Sequence, residues 1–414
     1  MKILYLTQLY PPMLYGGGEY IFSKWAEEIA RRGHEVSVIT QKITGTDSFE
    51  RLNGVNIHRI KPEIQYNGAL YNIGIIQNLG FLVNAVRRAR KLIPEVDVIH
   101  SNTFTPTIAA EAVARISRRP HLATIHDVYV QTDNSFWKKW SAQHEVTFFA
   151  KSAGYFVEKI VLNLPVSMVH TVSGTSKDDL IKAGIPANKI TVIPNGINPD
   201  EYHSVSPKKP FQIAYVGRLV FYKNLDTVIK AFRKVCDLRP EARFIIAGKG
   251  PCEQSLKELA LELGLHKNVL FAGKITDKEK VDLLSESQLM VQPSLVEGFG
   301  ITVIESFCCG TPVLASNVMP LPELVKDGEN GLTIPPFDSD TWAASLLDYL
   351  GNHEKCFQQG MAGRRLVEEK YTITKVVDRL SELYQQLLTG RTARGPDLCK
   401  HPTAANFKQD DGVL

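Results

Sequence analysis

Two glutamates stand eight positions apart in a glycine-containing segment that could bind an elongated anion. Glu297 and Glu305 occur in P-S-L-V-E-G-F-G-I-T-V-I-E, residues 293–305. This segment predicts the end of a buried strand, a turn, and a helix that begins near Gly300, where uncovered backbone amides attract anions. Eight helical steps span about 12 Å, which suits a long ligand with hydroxyls at both ends and negative charge between them. An ordinary strand-to-helix turn with two surface glutamates is the alternative interpretation.

A pair of cations follows another predicted strand. Arg218 ends the strand in Y-V-G-R-L, and Lys223 opens the next predicted helix, so both side chains project from one strand-to-helix loop. One guanidinium and one ammonium can stabilise the charge that develops on a departing diphosphate without a metal ion. Together with the two glutamates, the pair favours a nucleotide sugar, whose sugar, diphosphate and ribose lie in a row. Considered alone, the pair could equally be two solvated loop cations.

The elements that must position these residues alternate along the chain in two series. The first series has predicted strands at 2–7, 36–40, 55–60, 96–100, 121–125, 167–171 and 190–193, and helices at 19–31, 72–92, 106–117, 146–162 and 175–183. The second has strands at 212–216, 243–247, 268–272, 288–292 and 312–315, and helices at 224–237, 252–263, 277–285, 300–309, 339–350, 353–369 and 373–388. This alternation predicts an α/β fold with two Rossmann-like, doubly wound parallel sheets. Ligands of such sheets bind at the carboxyl ends of the strands, so we expect a cleft between two such edges.

A polar, proline-containing stretch, H-S-V-S-P-K-K-P at 203–210, predicts a linker between the two series. We therefore predict a first domain over 1–204 and a second over 205–370. A helix at 371–388 is expected to pack back on the first domain. Residues 389–414 lack periodicity and are expected to be a disordered or partly non-native tail.

The motifs in combination resemble the group 1 retaining glycosyltransferases (glycosyltransferase family 4), whose fold is the two-domain GT-B architecture. They occur in the family's order over about residues 1–388: G-G-G-E at 16–19, G-H-E-V at 33–36, I-P-N-G-I at 193–197, V-G-R-L…K-N at 216–224, A-G-K-G-P at 247–251, P-S-x-x-E-G-F-G-x-x-x-x-E at 293–305 and C-G-T-P-V at 309–313. Two departures limit the detail. Lys249 stands where the family often has an acid, and Ser306-Phe307-Cys308 replaces small residues.

The resemblance implies a role for each residue of the second-domain site. Arg218 and Lys223 would bind and neutralise the donor diphosphate, Glu297 would lie near the transferred sugar, and Glu305 would bond to the ribose hydroxyls. The other residues implied to contact the donor, through backbone amides or along the edge of the nucleobase, are Lys274, Ile275, Gly298, Phe299, Gly300 and Ile301. The binding predicted for this domain is thus of a nucleoside-diphosphate sugar.

In the first domain, which would bind the acceptor, the resemblance implies three further residues. Gly17 and Gly18 would let their loop approach the phosphates. His126, in T-I-H-D at the end of a strand, would face the sugar beside the reacting carbon, although a structural histidine is the alternative. His34 and His100 are interpreted as structural.

The reaction implied by the resemblance is transfer of a sugar to a hydroxyl acceptor, which could be a glycan, a lipid-linked hydroxyl or a small molecule. Configuration would be retained by a front-face displacement that needs no protein nucleophile, no cofactor and no metal. Asp338-Ser339-Asp340 matches a metal-binding D-x-D, but it precedes a predicted helix and is interpreted as a helix cap. Two other functions stay open: a nucleotide-sugar 2-epimerase on the same fold and a non-catalytic subunit that binds nucleotide sugars. The donor base, the sugar, the acceptor and the oligomeric state are not predicted.

Composition and charge bound the remaining classes. The chain has 414 residues, 44% hydrophobic and 22% charged, without an apolar run long enough for a membrane span or a signal peptide. Six cysteines without C-x-x-C spacing favour a reducing, cytoplasmic setting.

The net charge of +4 lies in residues 1–205, which contain 22 Lys and Arg and 18 Asp and Glu. The basic cluster Arg87, Arg88, Arg90 and Lys91, with the aromatic stretch 132–165, suggests contact with the inner face of an anionic membrane, or with an anionic or lipid-like acceptor, rather than with nucleic acid. Solvated and packed helices are the alternative.

Overall fold

The computed structural model describes residues 1–14, 16–65, 75–129, 153–202 and 207–390. The chain divides into two compact units, one formed by Met1–Pro194 with Val376–Leu414 and the other by Asn195–Lys375. Each unit contains a predominantly parallel sheet with helices packed against it. The domain limits expected at residues 204 and 370 stay predictions.

The sheet of the first unit has eight described strands in the order β3-β4-β2-β1-β5-β6-β7-β8, and every neighbouring pair is parallel except β3 with β4. The strands are β1 (Lys2–Leu6), β2 (Glu35–Ile43), β3 (Phe49–Leu52), β4 (Val55–Ile64), β5 (Val98–Asn102), β6 (His121–Thr124), β7 (Met168–Thr171) and β8 (Ile190–Val192). The helices are α1 (Gly17–Arg31), α2 (Ile75–Leu92), α3 (Phe104–Ser117), α4 (Ala153–Leu162) and α5 (Gly174–Lys182). The strand order reverses between β1 and β5.

Strand β1 shows why this sheet forms at the centre of its unit. Ile3, Leu4, Tyr5 and Leu6 are all buried, as expected for a parallel strand that is covered on both faces. The amphipathic helix α1 buries Phe22 and other apolar residues at helical spacing. Burial of these side chains holds the ends of the strands, and the loops that follow them, in fixed positions.

The sheet of the second unit is fully parallel in its described strands and has the order β11-β10-β9-β12-β13-β14. The strands are β9 (Gln212–Val216), β10 (Arg243–Ala247), β11 (Val269–Gly273), β12 (Leu289–Gln292), β13 (Val313–Ser316) and β14 (Gly331–Ile334). The helices are α6 (Leu225–Leu238), α7 (Glu253–Glu262), α8 (Asp277–Glu286), α9 (Ile301–Cys308), α10 (Leu321–Leu324), α11 (Ser339–Leu350) and α12 (His353–Lys370). This is the order of the dinucleotide-binding fold, whose switch point lies between the first and fourth strands, here β9 and β12.

The predicted α/β fold with two doubly wound sheets is confirmed. Helix α13 (Ile373–Thr389) is the last described helix, and its residues from Val376 onward belong to the first unit. Among the strands and α-helices of the described residues, three were not predicted: β3, β14 and the short helix α10. Residues 72–74 and 146–152 of two predicted helices, residues 203–206 of the predicted linker and the tail from residue 391 lie outside the described residues. Across the ranges that the structure describes, no helix has the length and apolar character needed to cross a membrane.

Candidate active site

The switch point of the second sheet brings two loops together. Arg218 and Lys223 lie after β9, and Glu297 lies after the neighbouring strand β12. The backbone amide of Leu295 donates to the carbonyl of Tyr222 at 2.7 Å, which ties one loop to the other. Because open α/β sheets bind ligands in the crevice at such a point, this edge of the sheet is the candidate donor site.

Lys223 and Glu297 form a largely buried ion pair at this edge. The Nζ of Lys223 donates to Oε2 of Glu297 at 2.6 Å, with 11% and 15% of the two side chains exposed. The same oxygen accepts from Nε2 of Gln292 at 2.7 Å and from Oγ of Ser294 at 3.1 Å. Burial alone would raise the pKa of Glu297, but the charge of Lys223 and these three donors outweigh it and lower the pKa below 4.5. Glu297 is therefore an oriented carboxylate at neutral pH.

Tyr222 connects Arg218 to the ion pair of Lys223 and Glu297. Its Nη2 donates to the phenolic oxygen of Tyr222 at 2.5 Å, and the Nζ of Lys223 lies 5.6 Å from the centroid of that ring. The hydroxyl of Tyr215 donates to the carbonyl of Arg218 at 2.9 Å, which fixes the backbone of the loop. The two predicted cations thus contact one aromatic ring, and their charges are close together on one short loop.

The glycines of A-G-K-G-P let the neighbouring strand ends pack backbone against backbone. Gly248 has φ +143, and a Cβ there would lie 1.8 Å from the carbonyl oxygen of Gly217. A Cβ on Gly250 would lie 2.3 Å from the carbonyl oxygen of Leu219. The amide of Gly248 also donates to the carbonyl of Gly273 at 2.7 Å. These contacts hold the loops after β9, β10 and β11 together, so this motif supports the loop that carries Arg218.

Helix α9 begins where the sequence predicts, with its first residue at Ile301 and Gly300 as the N-cap. Gly300 has φ +98, and a Cβ there would lie 3.2 Å from Cδ2 of Leu321, so both the backbone and the packing favour glycine. Since residues 297–300 are not helical, the span of about 12 Å between the glutamates is wrong as a helical rise. Only the four steps from Ile301 to Glu305 are helical, and they rise about 6 Å.

Glu305 is held by two residues that the sequence analysis did not identify. Its Oε1 accepts from the hydroxyl of Tyr202 and from the Nζ of Lys280, each at 2.7 Å, and only 2% of the residue is exposed. Lys280 also lies 3.2 Å from Asp277. Tyr202 is 103 positions from Glu305, and no motif or spacing in the sequence links the two. Lys280 on α8 and Tyr202, which precedes β9, thus fix the carboxylate of Glu305.

The remaining donor-binding predictions of the second unit lie at the same edge of the sheet. Lys274 and Ile275 directly follow β11, and α8 then begins behind a capping box formed by Thr276 and Glu279. The ring of Phe299 is buried 5.7 Å from that of Tyr371. The predicted residues that follow the carboxyl ends of β9, β11 and β12 are Arg218, Lys223, Lys274, Ile275, Glu297, Gly298, Phe299, Gly300 and Ile301.

In the first unit, the predicted glycines lie against the predicted histidine. Gly17 and Gly18 open α1, and a Cβ on Gly18 would lie 3.0 Å from Cδ2 of His126. The Nε2 of His126 lies 3.0 Å from Oδ1 of Asn102. Burial lowers the pKa of His126 to about 4, so the ring is neutral at physiological pH. A neutral, oriented imidazole beside a glycine loop suits hydrogen bonding to a hydroxyl better than pairing with a phosphate.

His100 is a buried structural residue, as predicted. The Nε2 of His170 donates to the carbonyl of Ile193 at 2.9 Å, and burial lowers the pKa of His170 to about 3. Its Nδ1 must therefore accept, here from the hydroxyl of Thr124 at 2.9 Å. That hydroxyl has one proton, so it accepts in turn from Nε2 of His100 at 2.6 Å. The Nε2 of His100 is thus held by a hydrogen bond inside the sheet.

The D-x-D motif is a helix cap, also as predicted. Oδ1 of Asp338 accepts from the amide of Thr341 at 3.0 Å at the start of α11, and Asp340 forms an ion pair with Lys234. Among the described residues, no group of three or more histidine, cysteine, aspartate or glutamate side chains is arranged to hold a metal ion.

Comparison with known proteins gives consistent matches along the whole described core. The model for "Glycosyltransferase Family 4" matches residues 15–201 and the model for "Glycosyl transferases group 1" matches residues 199–366. An uncharacterized glycosyltransferase of Methanocaldococcus jannaschii is 29% identical over 420 residues, which cover 93% of this chain and 98% of that protein.

Two solved structures show the fold. Sucrose-phosphate synthase from Thermosynechococcus elongatus gives a TM-score of 0.78 at 21% identity and covers 94% of this chain and 99% of its own. Anabaena HepE in complex with UDP-glucose gives a TM-score of 0.72 at 21% identity, with coverage of 93% and 100%. At these identities the likeness concerns architecture alone, and that architecture is GT-B.

Proposed function

We propose that this chain, which belongs to the group 1 glycosyltransferases, transfers a sugar from a nucleoside-diphosphate sugar to a hydroxyl acceptor with retention of configuration. The observation that carries the proposal is the ion pair of Lys223 with Glu297, beside Arg218, at the switch point of a six-stranded parallel sheet. Two cations, one oriented carboxylate and the start of a helix lie within one edge of this sheet.

The donor class follows from the charges at this edge. A diphosphate needs cationic donors, which Arg218 and Lys223 supply, and the amides at the start of α9 favour an anion as well. Glu297 can accept hydrogen bonds from sugar hydroxyls, and Glu305 is proposed to accept from the ribose. The complex of Anabaena HepE with UDP-glucose supports a nucleotide sugar in this fold. The base and the sugar are left open.

In the proposed step, the bond from the anomeric carbon to the leaving phosphate oxygen breaks while a bond from the acceptor oxygen forms on the same face. The acceptor's proton passes to the leaving phosphate oxygen, and the nucleoside diphosphate departs. Arg218 and Lys223 stabilise the charge that develops on that oxygen, so the proposal includes no metal ion. His126, Gly17 and Gly18 keep their predicted roles, contact with the sugar for the imidazole and with the phosphates for the glycine loop. The acceptor would be a glycan, a lipid-linked hydroxyl or a small molecule.

A binding experiment tests the donor class without knowledge of the acceptor. The purified protein is heated with UDP-, GDP- and ADP-sugars, and the melting temperature is compared with that of the protein alone, since a ligand that binds the native state raises it. We expect one base to give a clear shift that Arg218→Ala abolishes. If none of the three nucleotides shifts the melting temperature, the proposed donor class is wrong.

The stereochemical part is tested with the donor identified in this way. The protein is incubated with an α-linked donor and an alcohol acceptor, and the anomeric proton of the first-formed product is observed by NMR. An α-linked product supports retention, and a β-linked product contradicts it. A parallel sample without acceptor shows whether the donor is epimerised instead, which is the result expected from a 2-epimerase.

A further inference from the structure

We propose that the outer surface of helices α2, α3 and α4 docks on an anionic lipid bilayer. This surface contains none of the candidate donor residues, and its docking does not depend on the proposed transfer reaction. It gives a location to the membrane contact that the basic cluster in the sequence suggests.

These three helices form one layer on one face of the first sheet. The connections through α2, α3 and α4 all lead toward the β8 edge, whereas α1 leads from β1 to β2 in the opposite direction. Because crossovers between parallel strands are right-handed, the three helices share a face that α1 does not. The hydrophobic cores agree with this arrangement. Ala85 of α2 and Ala109 of α3 belong to one buried cluster, and Phe104 of α3 packs against the cluster that contains Val161 of α4.

The layer presents large apolar side chains to solvent. On α2, Ile76, Leu79 and Val83 are 82%, 56% and 48% exposed, and their spacing of three and four residues places them in one stripe. On α4, Phe156 and Ile160 are 61% and 52% exposed and stand one turn apart. Ile116, at the end of α3, is 59% exposed. Such residues exposed together on adjacent helices indicate an interaction surface.

Cations continue the apolar stripe of α2. Arg87, Arg90 and Lys91 are exposed, and their positions extend the stripe of Leu79 and Val83 by further helical turns. Arg88, in contrast, points to the other side and its Nη2 lies 2.7 Å from Nδ1 of His58. The cluster that the sequence shows is therefore divided, with three of its four charges on the outer surface.

Acidic residues do not balance these charges. The sequence of α2 contains no aspartate or glutamate, and the acids of the other two helices, Glu111 and Glu158, are 5% and 1% exposed. Lys159 is exposed beside Phe156. In the described ranges of these helices, the solvent-facing charge is thus exclusively positive.

This combination selects an anionic bilayer among the candidate partners. Lysine and arginine are attracted by anionic headgroups, and apolar side chains on the same helical face insert at the interface. A nucleic acid would engage the cations but would leave Ile76 and Leu79 in water. A second copy of the chain would oppose cation to cation, with no exposed acid on the surface to offset the repulsion.

Vesicle flotation tests the proposal with the intact protein. We expect binding to phosphatidylcholine vesicles that contain phosphatidylglycerol, weaker binding at high salt, and much weaker binding to phosphatidylcholine alone. The variant Arg87→Glu/Arg90→Glu/Lys91→Glu should lower the partition coefficient by more than about two orders of magnitude, because loss of the three cations alone accounts for that factor. The variant Ile76→Ser/Leu79→Ser should lower it at low and at high salt.

A matched control reverses the same number of charges elsewhere. Lys267, Lys278 and Arg365 are exposed in the second unit, and replacing all three by glutamate should leave vesicle binding within about twofold of wild type. Both α2 variants should keep the wild-type melting temperature and the wild-type shift with the donor nucleotide. Equal loss in the control and the α2 variants would contradict the proposal, as would a wild-type protein that does not bind the anionic vesicles.

Insertion is tested by a reporter on the stripe. A Leu79→Trp variant should be quenched by brominated lipid in anionic vesicles, after subtraction of the wild-type signal. Phe357→Trp, at a position 61% exposed in the second unit, should not be quenched. Equal quenching at both positions would overturn a bilayer as the partner. A protein that binds heparin, a soluble polyanion, but does not bind the anionic vesicles would overturn it as well.

Discussion

The Nζ of Lys223 donates to Oε2 of Glu297 at 2.6 Å, although the two residues are 74 positions apart. An ammonium has three donors, so a lysine that is oriented by one carboxylate can still donate to phosphate oxygens. Glu297 is in turn oriented by Gln292 and Ser294. The pair therefore fixes the direction of Lys223 before a donor binds, and with Arg218 the three side chains carry a net charge of +1.

Removal of either cation should reduce transfer strongly. Arg218→Ala is expected to lower kcat by about 100- to 1000-fold because one donor to the leaving phosphate is lost. Arg218→Lys should restore only part of the rate, since an ammonium cannot reproduce the two parallel bonds of a guanidinium. The rate of nucleoside-diphosphate release, measured at saturating donor, checks this prediction. Near-normal turnover in Arg218→Ala would remove the arginine from the mechanism.

Lys223 should differ from Arg218 because it also stabilises the fold. Lys223→Met leaves the buried carboxylate of Glu297 without its cation, at an expected cost of about 3 kcal/mol in the free energy of unfolding. The double variant Lys223→Met/Glu297→Gln should recover most of that stability and none of the activity. Urea unfolding and turnover, measured on the same samples, separate the two effects. Recovery of activity along with stability would mean that Lys223 acts only on the fold.

The lowered pKa of Glu297 predicts that the stability of the protein depends on pH. Its pKa is lowered in the folded protein from an ordinary value of 4.5, so the stability it contributes is present above pH 4.5 and is lost as the pH falls through the folded-state pKa. Wild type should therefore exceed Glu297→Gln in unfolding free energy at neutral pH, and the difference should shrink in acid. Urea denaturation across this range measures it. A difference independent of pH would show that the carboxylate is not stabilised by its partners.

Tyr202 and Lys280 are predicted to act as positioning residues for Glu305. Tyr202→Phe removes one of the two bonds to Oε1, so the carboxylate should be less well oriented toward the ribose. We expect KM for the donor to rise by up to about tenfold, with kcat nearly unchanged. Lys280→Met should raise KM in the same direction, and initial rates over a range of donor concentrations measure both. A fall in kcat at constant KM would contradict a ribose-binding role for Glu305.

The alternation of strands and helices was predictable because parallel strands buried on both faces are short apolar runs, as in Leu289–Gln292. Helix α11 could also be placed because Asp338 caps it. The missed strand β3 is an edge strand with largely exposed residues, and β14 has four residues beginning with glycine. Such strands are stabilised by their neighbours more than by their own pattern, so their sequence contains little signal.

Those parts of the candidate site that depend only on the order of the strands were predictable from the sequence. Arg218 and Glu297 follow adjacent parallel strands, and carboxyl ends of such strands share one edge. The partners of Glu305 were not predictable, because Tyr202 and Lys280 reach it through side-chain packing of separate elements. The same holds for the contact of Gly18 with His126, which depends on how α1 starts relative to β6.

The glycines of the A-G-K-G-P loop predict a contrast between two alanine substitutions. Gly250→Ala would place its Cβ 2.3 Å from a backbone oxygen of Leu219, which cannot move without shifting the loop that carries Arg218. We expect a loss of about 3 kcal/mol in unfolding free energy and a weaker thermal shift with the donor. Gly351→Ala places its Cβ 3.3 Å from the carbonyl oxygen of Leu347, a contact that a shift of a few tenths of an ångström relieves, and should therefore cost much less. Equal effects of the two variants in urea unfolding would contradict this account.

Tyr384 of α13 completes the buried chain of hydrogen bonds in the first unit. Since Nε2 of His100 donates within the sheet, its Nδ1 must accept, and the hydroxyl of Tyr384 donates to it at 2.7 Å. The oxygen of Tyr384 then accepts from the hydroxyl of Tyr5, also at 2.7 Å. The carbonyl of Ile193 therefore sets the donor and acceptor of every hydrogen bond in this series as far as Tyr5 on β1. Helix α13 supplies Tyr384, which links His100 to Tyr5.

Tyr384→Phe should consequently be costly. It leaves the hydroxyl of Tyr5 without an acceptor and Nδ1 of His100 without a donor, both in residues that are fully buried, and we expect a loss of about 3 kcal/mol in unfolding free energy. Tyr10→Phe is the matched control, because the buried hydroxyl of Tyr10 has no hydrogen-bond partner in the described part of the chain and its removal should be neutral or stabilising. Urea unfolding, followed by circular dichroism, measures both variants. Similar losses of unfolding free energy in Tyr384→Phe and Tyr10→Phe would show that this series of hydrogen bonds does not stabilise the unit.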